Sequence, residues 1–128
     1  MERYLNKQRS SGVLLHISSL PGPYGIGEIG DEAKAFVNDL ATMNQQYWQI
    51  LPTNYPERHN SPYDTNSAFA QNPFLISLDG LIEDGLLSES DLEPIPEFKS
   101  NRVEFEKLKK WKQILLRKAA TNFSNADN

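Results

Sequence analysis

The chain has 128 residues, 38% of them hydrophobic, a net charge of −4 and no cysteine. That is room for one modest domain with a core, and it excludes disulfides, thiolate metal sites and cysteine nucleophiles. A mild acidic excess gives no broad electrostatic reason to hold nucleic acid or an anionic membrane, and no run of about 18 apolar residues offers a spanning helix.

The opening MERYLNKQRSSG is basic but has no apolar stretch of signal-peptide length behind it. With the missing cysteines, this fits a reducing cytoplasm. Residues 12–17 (GVLLHI) form a short apolar run that predicts a buried strand. A Pro- and Gly-rich loop follows over 18–30, and Asp31 stands where a helix N-cap belongs. Ala33, Phe36, Val37 and Leu40 then recur at helical spacing, and the helix should fade near Gln45. Residues 47–51 (YWQIL) predict a second strand, stopped by Pro52. Strand, helix and strand in this order make a βαβ unit with parallel strands, so the fold class is α/β.

Residues 53–73 have no sustained apolar period and are rich in Pro and Asn, which predicts a long loop. Loops of this length inside compact domains tend to be functional or mobile. A short helix is expected over 81–87 around Gly85, and the acidic stretch 88–100 reads as a linker. From 101 to about 120, Phe105, Leu108, Trp111 and Leu115 mark an amphipathic helix, with a polar, frayed tail after it.

Three features could carry chemistry. Residues 25–30 spell G-x-G-x-x-G between a strand and a helix. A dinucleotide fingerprint follows its strand directly and needs an acidic residue about 20 positions on. Here Pro21 and Pro23 intervene, residues 45–51 carry no acid, and Glu28 would sit inside the phosphate cradle. The glycines are therefore read as turn formers. His16, at the end of the first strand, points towards the face where α/β active sites lie; the rival reading is a satisfied core histidine. With His59 in a loop, the two histidines make a weak case for a metal. Asn60, Ser61, Pro62, Tyr63 and Asp64, followed by Asn66, Ser67, Phe69 and Asn72, combine an aromatic with hydroxyls and amides. Such a set suits a sugar, whose apolar face meets the ring and whose hydroxyls meet the amides; the same residues are also ordinary loop formers.

The order SLPGPYGIGEIG, YWQILP, SPY, SAFAQNPFLISL resembles the start of the amylomaltase family of 4-α-glucanotransferases, over residues 9 to about 92. The helix ending LLRKAATNF resembles it more loosely. One departure is the run NYPERHN (54–60), where the family carries a glycine-bearing segment. The resemblance implies the N-terminal portion of a (β/α)8 TIM-type barrel, incomplete here because a whole barrel takes about 250 residues. Residues 1–78 would be the first βα unit, the second strand and the sugar-facing loop, and 79–128 the start of an inserted helical subdomain. It also implies retaining transfer between α-1,4-glucans on two carboxyls about 5–5.5 Å apart, without organic cofactor or metal. Tyr63 and Ser61 inherit a place beside the sugar at the cleavage point, and Asn72 and His16 are further substrate-binding candidates. The catalytic carboxylates do not carry over, since the family's motifs for them are not in this sequence. The isolated chain is thus expected to be inactive and to need the C-terminal remainder of the enzyme. A stand-alone glucan-binding module, a degenerate remnant and a small structural protein are the alternatives.

Overall fold

The structure is a computed structural model that describes residues 9–57 and 59–126. The basic N-terminal run, Arg58 of the departing segment and the last two residues of the tail lie outside the described residues.

Two strands, β1 (Gly12–Leu14) and β2 (Tyr47–Gln49), pair in parallel with Val13 opposite Trp48. Both are shorter than their apolar runs. The ladder gains one further bond, Leu15 N–H to Gln49 O at 3.0 Å, before the chain turns into a 3-10 helix at Ile17–Ser19. Between the strands runs α1 (Asp31–Thr42). Its N-cap is Gly30 rather than Asp31, since the Gly30 carbonyl accepts the first helical bond from Lys34. Asp31 and Glu32 fill the first turn instead, where carboxylates favour the helix dipole. The helix closes before Gln45 through Asn44 in the left-handed region (φ 55°), with Gln45 N–H bonded to Leu40 O and Asn44 N–H to Ala41 O. Of the four residues expected on its buried face, Leu40 is buried, Ala33 and Phe36 are half-buried, and Val37 is exposed. Phe36 meets the Trp48 ring edge-on at 4.9 Å, and the Trp48 indole N–H donates to Leu15 O at 2.7 Å. These contacts fasten α1 across both strands.

The chain then forms α2 (Leu78–Glu83), α3 (Glu89–Leu92) and α4 (Phe105–Ala126). The short helix expected around Gly85 sits three residues earlier. Ser77 caps it through Gly80 N–H, and Gly85, at φ 71°, ends it in a conformation that a side chain would resist. The segment read as a linker contains α3, held by a reciprocal capping box between Ser88 and Asp91. The tail expected to fray continues α4 to Ala126.

Two apolar clusters make the core. Ile17, Leu20, Ile26, Phe74, Leu75 and Leu108 form one, and Tyr24, Leu78, Leu87, Leu92, Leu115 and Ala119 the other. Helix α4 therefore contributes to both. Its apolar stripe is covered within the chain: Leu108 is fully buried and Leu115 nearly so. The buried face runs 108, 112, 115, 119, which places Lys112 at a core position. The glycine loop is built for close approach. A Cβ on Gly27 would run into the carbonyl of Ile17 and come within 2.8 Å of the Leu20 nitrogen. Gly27 N–H instead bonds Ser18 O at 3.1 Å, so the loop folds back over the end of β1.

Candidate functional site

Parallel strands gather the residues that follow them on one edge of the sheet. Here His16 follows β1 and Leu51 follows β2, and both line one cleft of about 140 Å³. The long loop brings the rest of the lining. It is closed at its base by Asn72 N–H to Thr53 O at 2.8 Å and by Tyr55 N–H to Ala70 O at 3.2 Å. Inside, the Asn54 carboxamide donates to the carbonyls of Ser67 and Ala68 at 3.0 and 2.9 Å. A loop tied in this way is a compact lobe that presents Asn54, Pro56, Asn60, Pro62 and Asn72 to the cleft. Ser18, Ser19 and the first residue of α4, Phe105, complete it.

His16 and Asn72, two of the four candidate binding residues, are brought together in this cleft. His16 Nδ1 is buried with no hydrogen-bond partner among the described residues. Burial also holds its imidazole below the ordinary value of 6.5, so the neutral ring is favoured. Asn72 caps the turn at Pro73–Leu75, its Oδ1 accepting from Phe74 N–H at 3.0 Å. Ser61 lies between the lining residues Asn60 and Pro62, and its hydroxyl accepts from Tyr63 N–H at 3.4 Å. Tyr63 itself is 71% exposed, outside the lining, with its ring free of the apolar core. Asn60 was legible as part of the polar motif. The parts played by Asn54, Pro56 and Phe105 were not, because each comes from a segment with no motif of its own.

The run that departs from the family pattern has a defined shape. His59 and Asn60 both adopt φ near +55°, and Lys109 of α4 donates to Asn60 Oδ1 at 2.9 Å. Behind the cleft, Lys112 and Glu28 form a buried ion pair. The Lys112 ammonium also donates to the carbonyls of Phe74 (2.7 Å) and Ile76 (2.8 Å), while Glu28 accepts from Leu78 N–H at 2.9 Å. Together they clamp the segment just beyond Asn72. Burial pushes the Glu28 carboxyl up and the Lys112 ammonium down, and their mutual attraction opposes both shifts.

The cleft lining has amides, hydroxyls and one imidazole, with proline and phenylalanine walls and no carboxylate. It can accept and donate hydrogen bonds to a neutral polyhydroxylated ligand, and it holds no group to act as nucleophile or acid on a glycosidic bond. A larger cavity, about 410 Å³, is of a different kind: Asp79, Glu83, Glu89 and Glu93 ring it, with the Tyr24 hydroxyl bonded to Asp79 at 2.5 Å. It shares no lining residue with the His16 cleft. No helix among the described residues is long and apolar enough to cross a membrane.

The sequence model of the family described as 4-alpha-glucanotransferase matches residues 15–128. A 4-alpha-glucanotransferase of Streptococcus pneumoniae (serotype 4) is 49% identical over 119 residues, covering 91% of this chain and 23% of the relative. That of Synechocystis is 45% identical over 116 residues, again 91% and 23%. Among solved structures, amylomaltase from Streptococcus agalactiae in complex with acarbose superposes with a TM-score of 0.87 at 41% identity, over 92% of this chain and 24% of that one. The chain thus spans about a quarter of the length of the relatives it matches.

Proposed function

We propose, for a chain that belongs to the 4-alpha-glucanotransferase family, that the cleft at the ends of β1 and β2 is the part of a glucan site contributed by the N-terminal quarter of such an enzyme. The observation that carries this is the meeting of His16, Asn54, Asn60 and Asn72 in one uncharged cleft at the strand ends. Ser61 and Tyr63 extend the same lobe, with the exposed Tyr63 ring offered to the apolar face of a glucosyl unit. The parent reaction is transfer of an α-1,4-glucan segment to the 4-OH of an acceptor by a retaining route. Its nucleophile and acid come from regions outside this chain, because no carboxylate lines the cleft. In this reading residues 1–78 are the first βα unit, the second strand and the sugar-facing loop of a (β/α)8 barrel, and 79–128 begin an inserted helical subdomain. The barrel's remaining units would be the partner that this sheet lacks, and the cytoplasm, where maltodextrins and glycogen are handled, its place of work. Neither nucleic acid nor membrane has a role in it.

The protein's part in such a reaction is positional. Fixed amides and the neutral His16 ring orient sugar hydroxyls, and a held acceptor takes the place of water. Titrating the isotopically labelled 128-residue chain with maltotriose tests the reading. The amide signals of Asn54, Asn60 and Asn72 and the His16 ring should move together and saturate. Shifts confined to another face, or none at millimolar sugar, would reject it. In the same tube no glucose or longer maltodextrin should form above a blank, and turnover by a clean preparation would show that the missing carboxylates were not needed.

A further inference from the structure

A second cavity, of about 210 Å³, shares Ser18 and Ser19 with the His16 cleft, so the two adjoin at one short turn. The ionisable side chains lining it are both cations, Lys99 and Arg102, and Ser100 and Asn101 stand between them. In a chain of net charge −4 this is a local reversal of sign. Among the described residues neither cation forms a salt bridge; Glu104, two residues past Arg102, is bonded by Lys107 Nζ at 3.1 Å and by the Lys99 backbone N–H at 3.0 Å. The 99–103 segment is therefore held by Glu104 through its backbone, while the Lys99 ammonium adds its charge to the field at Glu104 without forming a salt bridge to it.

We propose that this cavity binds a phosphate monoester carried on a glucosyl unit, next to the neutral cleft that takes the unmodified sugar. A neutral glucan gives no reason for two cations lining one cavity. A dianionic phosphate does, because guanidinium and ammonium groups form their strongest hydrogen bonds with it and its remaining oxygens suit hydroxyl and amide donors. The shared Ser18–Ser19 turn is what favours a sugar phosphate over free phosphate: a glucosyl ring at the turn can direct hydroxyls to one cavity and its phosphate to the other. The inference rests on the glucan reading for the neighbouring cleft.

The probes are glucose 6-phosphate, inorganic phosphate and maltotriose, each titrated calorimetrically into the wild-type chain and into the Lys99→Gln/Arg102→Gln variant. Both side chains are exposed, so the variant should melt with the wild type, and a Lys99→Arg variant that keeps the charge serves as a second check. Glucose 6-phosphate should bind the wild type and the Lys99→Arg protein, weaken at least about tenfold in the double variant, and weaken with added salt. Maltotriose affinity should be the same in all three. Glucose 6-phosphate binding that is absent, or unchanged in the double variant, overturns the proposal. So does inorganic phosphate binding as tightly as the sugar phosphate. Loss of maltotriose binding alone, in every protein, would sink the glucan reading while leaving the phosphate site standing.

Discussion

Lys112 meets Glu28 across 84 residues of sequence, and their side chains are 0% and 7% exposed. The pair joins α4 to the glycine loop, and its other bonds reach Phe74, Ile76 and Leu78. Removing one member leaves an uncompensated buried charge, which costs about 3–5 kcal/mol, whereas replacing both with neutral groups of similar volume is far milder. Lys112→Met should therefore lose most of the chain's stability in urea denaturation, and Glu28→Gln/Lys112→Met should recover more than half of the loss. Equal loss in the single and double variants would mean that the carbonyl bonds of Lys112, and not the pairing, hold the segment.

Tyr63 is exposed and lies outside both core clusters, so Tyr63→Ala should leave the melting temperature of the chain within about a degree or two. If the ring lies beside the reacting sugar, the same change in a full-length enzyme carrying this segment should lower kcat/KM by about one to three orders of magnitude through lost positioning. Normal kinetics would assign the ring to the loop alone.

The depressed pKa of His16 fixes a sign for pH dependence. Its folded value lies below the ordinary 6.5, so the unfolded chain takes up the proton first. The stabilisation from this group is complete above 6.5 and is lost as pH falls towards the lowered folded value, at no more than about 1.4 kcal/mol per pH unit. Wild type should weaken as pH falls below 6.5 more steeply than His16→Asn. Equal slopes for the two proteins would contradict the neutral, half-buried ring.

Leu14 and Tyr47 lie on one face of the two-stranded sheet, opposite the face that carries Trp48, and are 58% and 57% exposed. An apolar sheet face beside unpaired strand edges is a template for association. The 128-residue chain should show a mass above monomer at micromolar concentration by light scattering, and Leu14→Lys/Tyr47→Lys should shift it towards monomer. A wild-type chain that stays monodisperse would mean that two short strands do not suffice as a template.

The βαβ unit was readable because its signals are local: a short apolar run, a helical period, and Pro52 as a stop. Lengths were less so: Leu15 still bonds Gln49, but His16, which looks like strand, is the N-cap of the Ile17–Ser19 turn, its carbonyl accepting from Ser19 N–H. Helix α3 was missed because its four residues are held by the Ser88–Asp91 box among acids and prolines that suggest a linker. At the site, Asn60 and Asn72 stood out as amides in a polar loop. Phe105 and Lys109 did not, because their approach to the loop depends on how α4 packs rather than on a motif of their own. Lys112 did leave a trace: it occupies the position between Leu108 and Leu115 where the helical period asks for an apolar residue, and a lysine there implies a buried counter-charge.

The two tryptophans divide between the two apolar clusters, Trp48 against the first and Trp111 against the second. Each is hydrogen-bonded through its indole nitrogen, to Leu15 and to Leu92. The chain thus carries two built-in fluorophores, one reporting the sheet side and one the helical side. With Trp48→Phe and Trp111→Phe, emission can be followed from each half separately during denaturation. Because α4 threads both clusters, the two signals should fall at a single midpoint, which makes this segment one cooperative unit and gives a way of watching the Leu15–His16 corner respond when a sugar arrives.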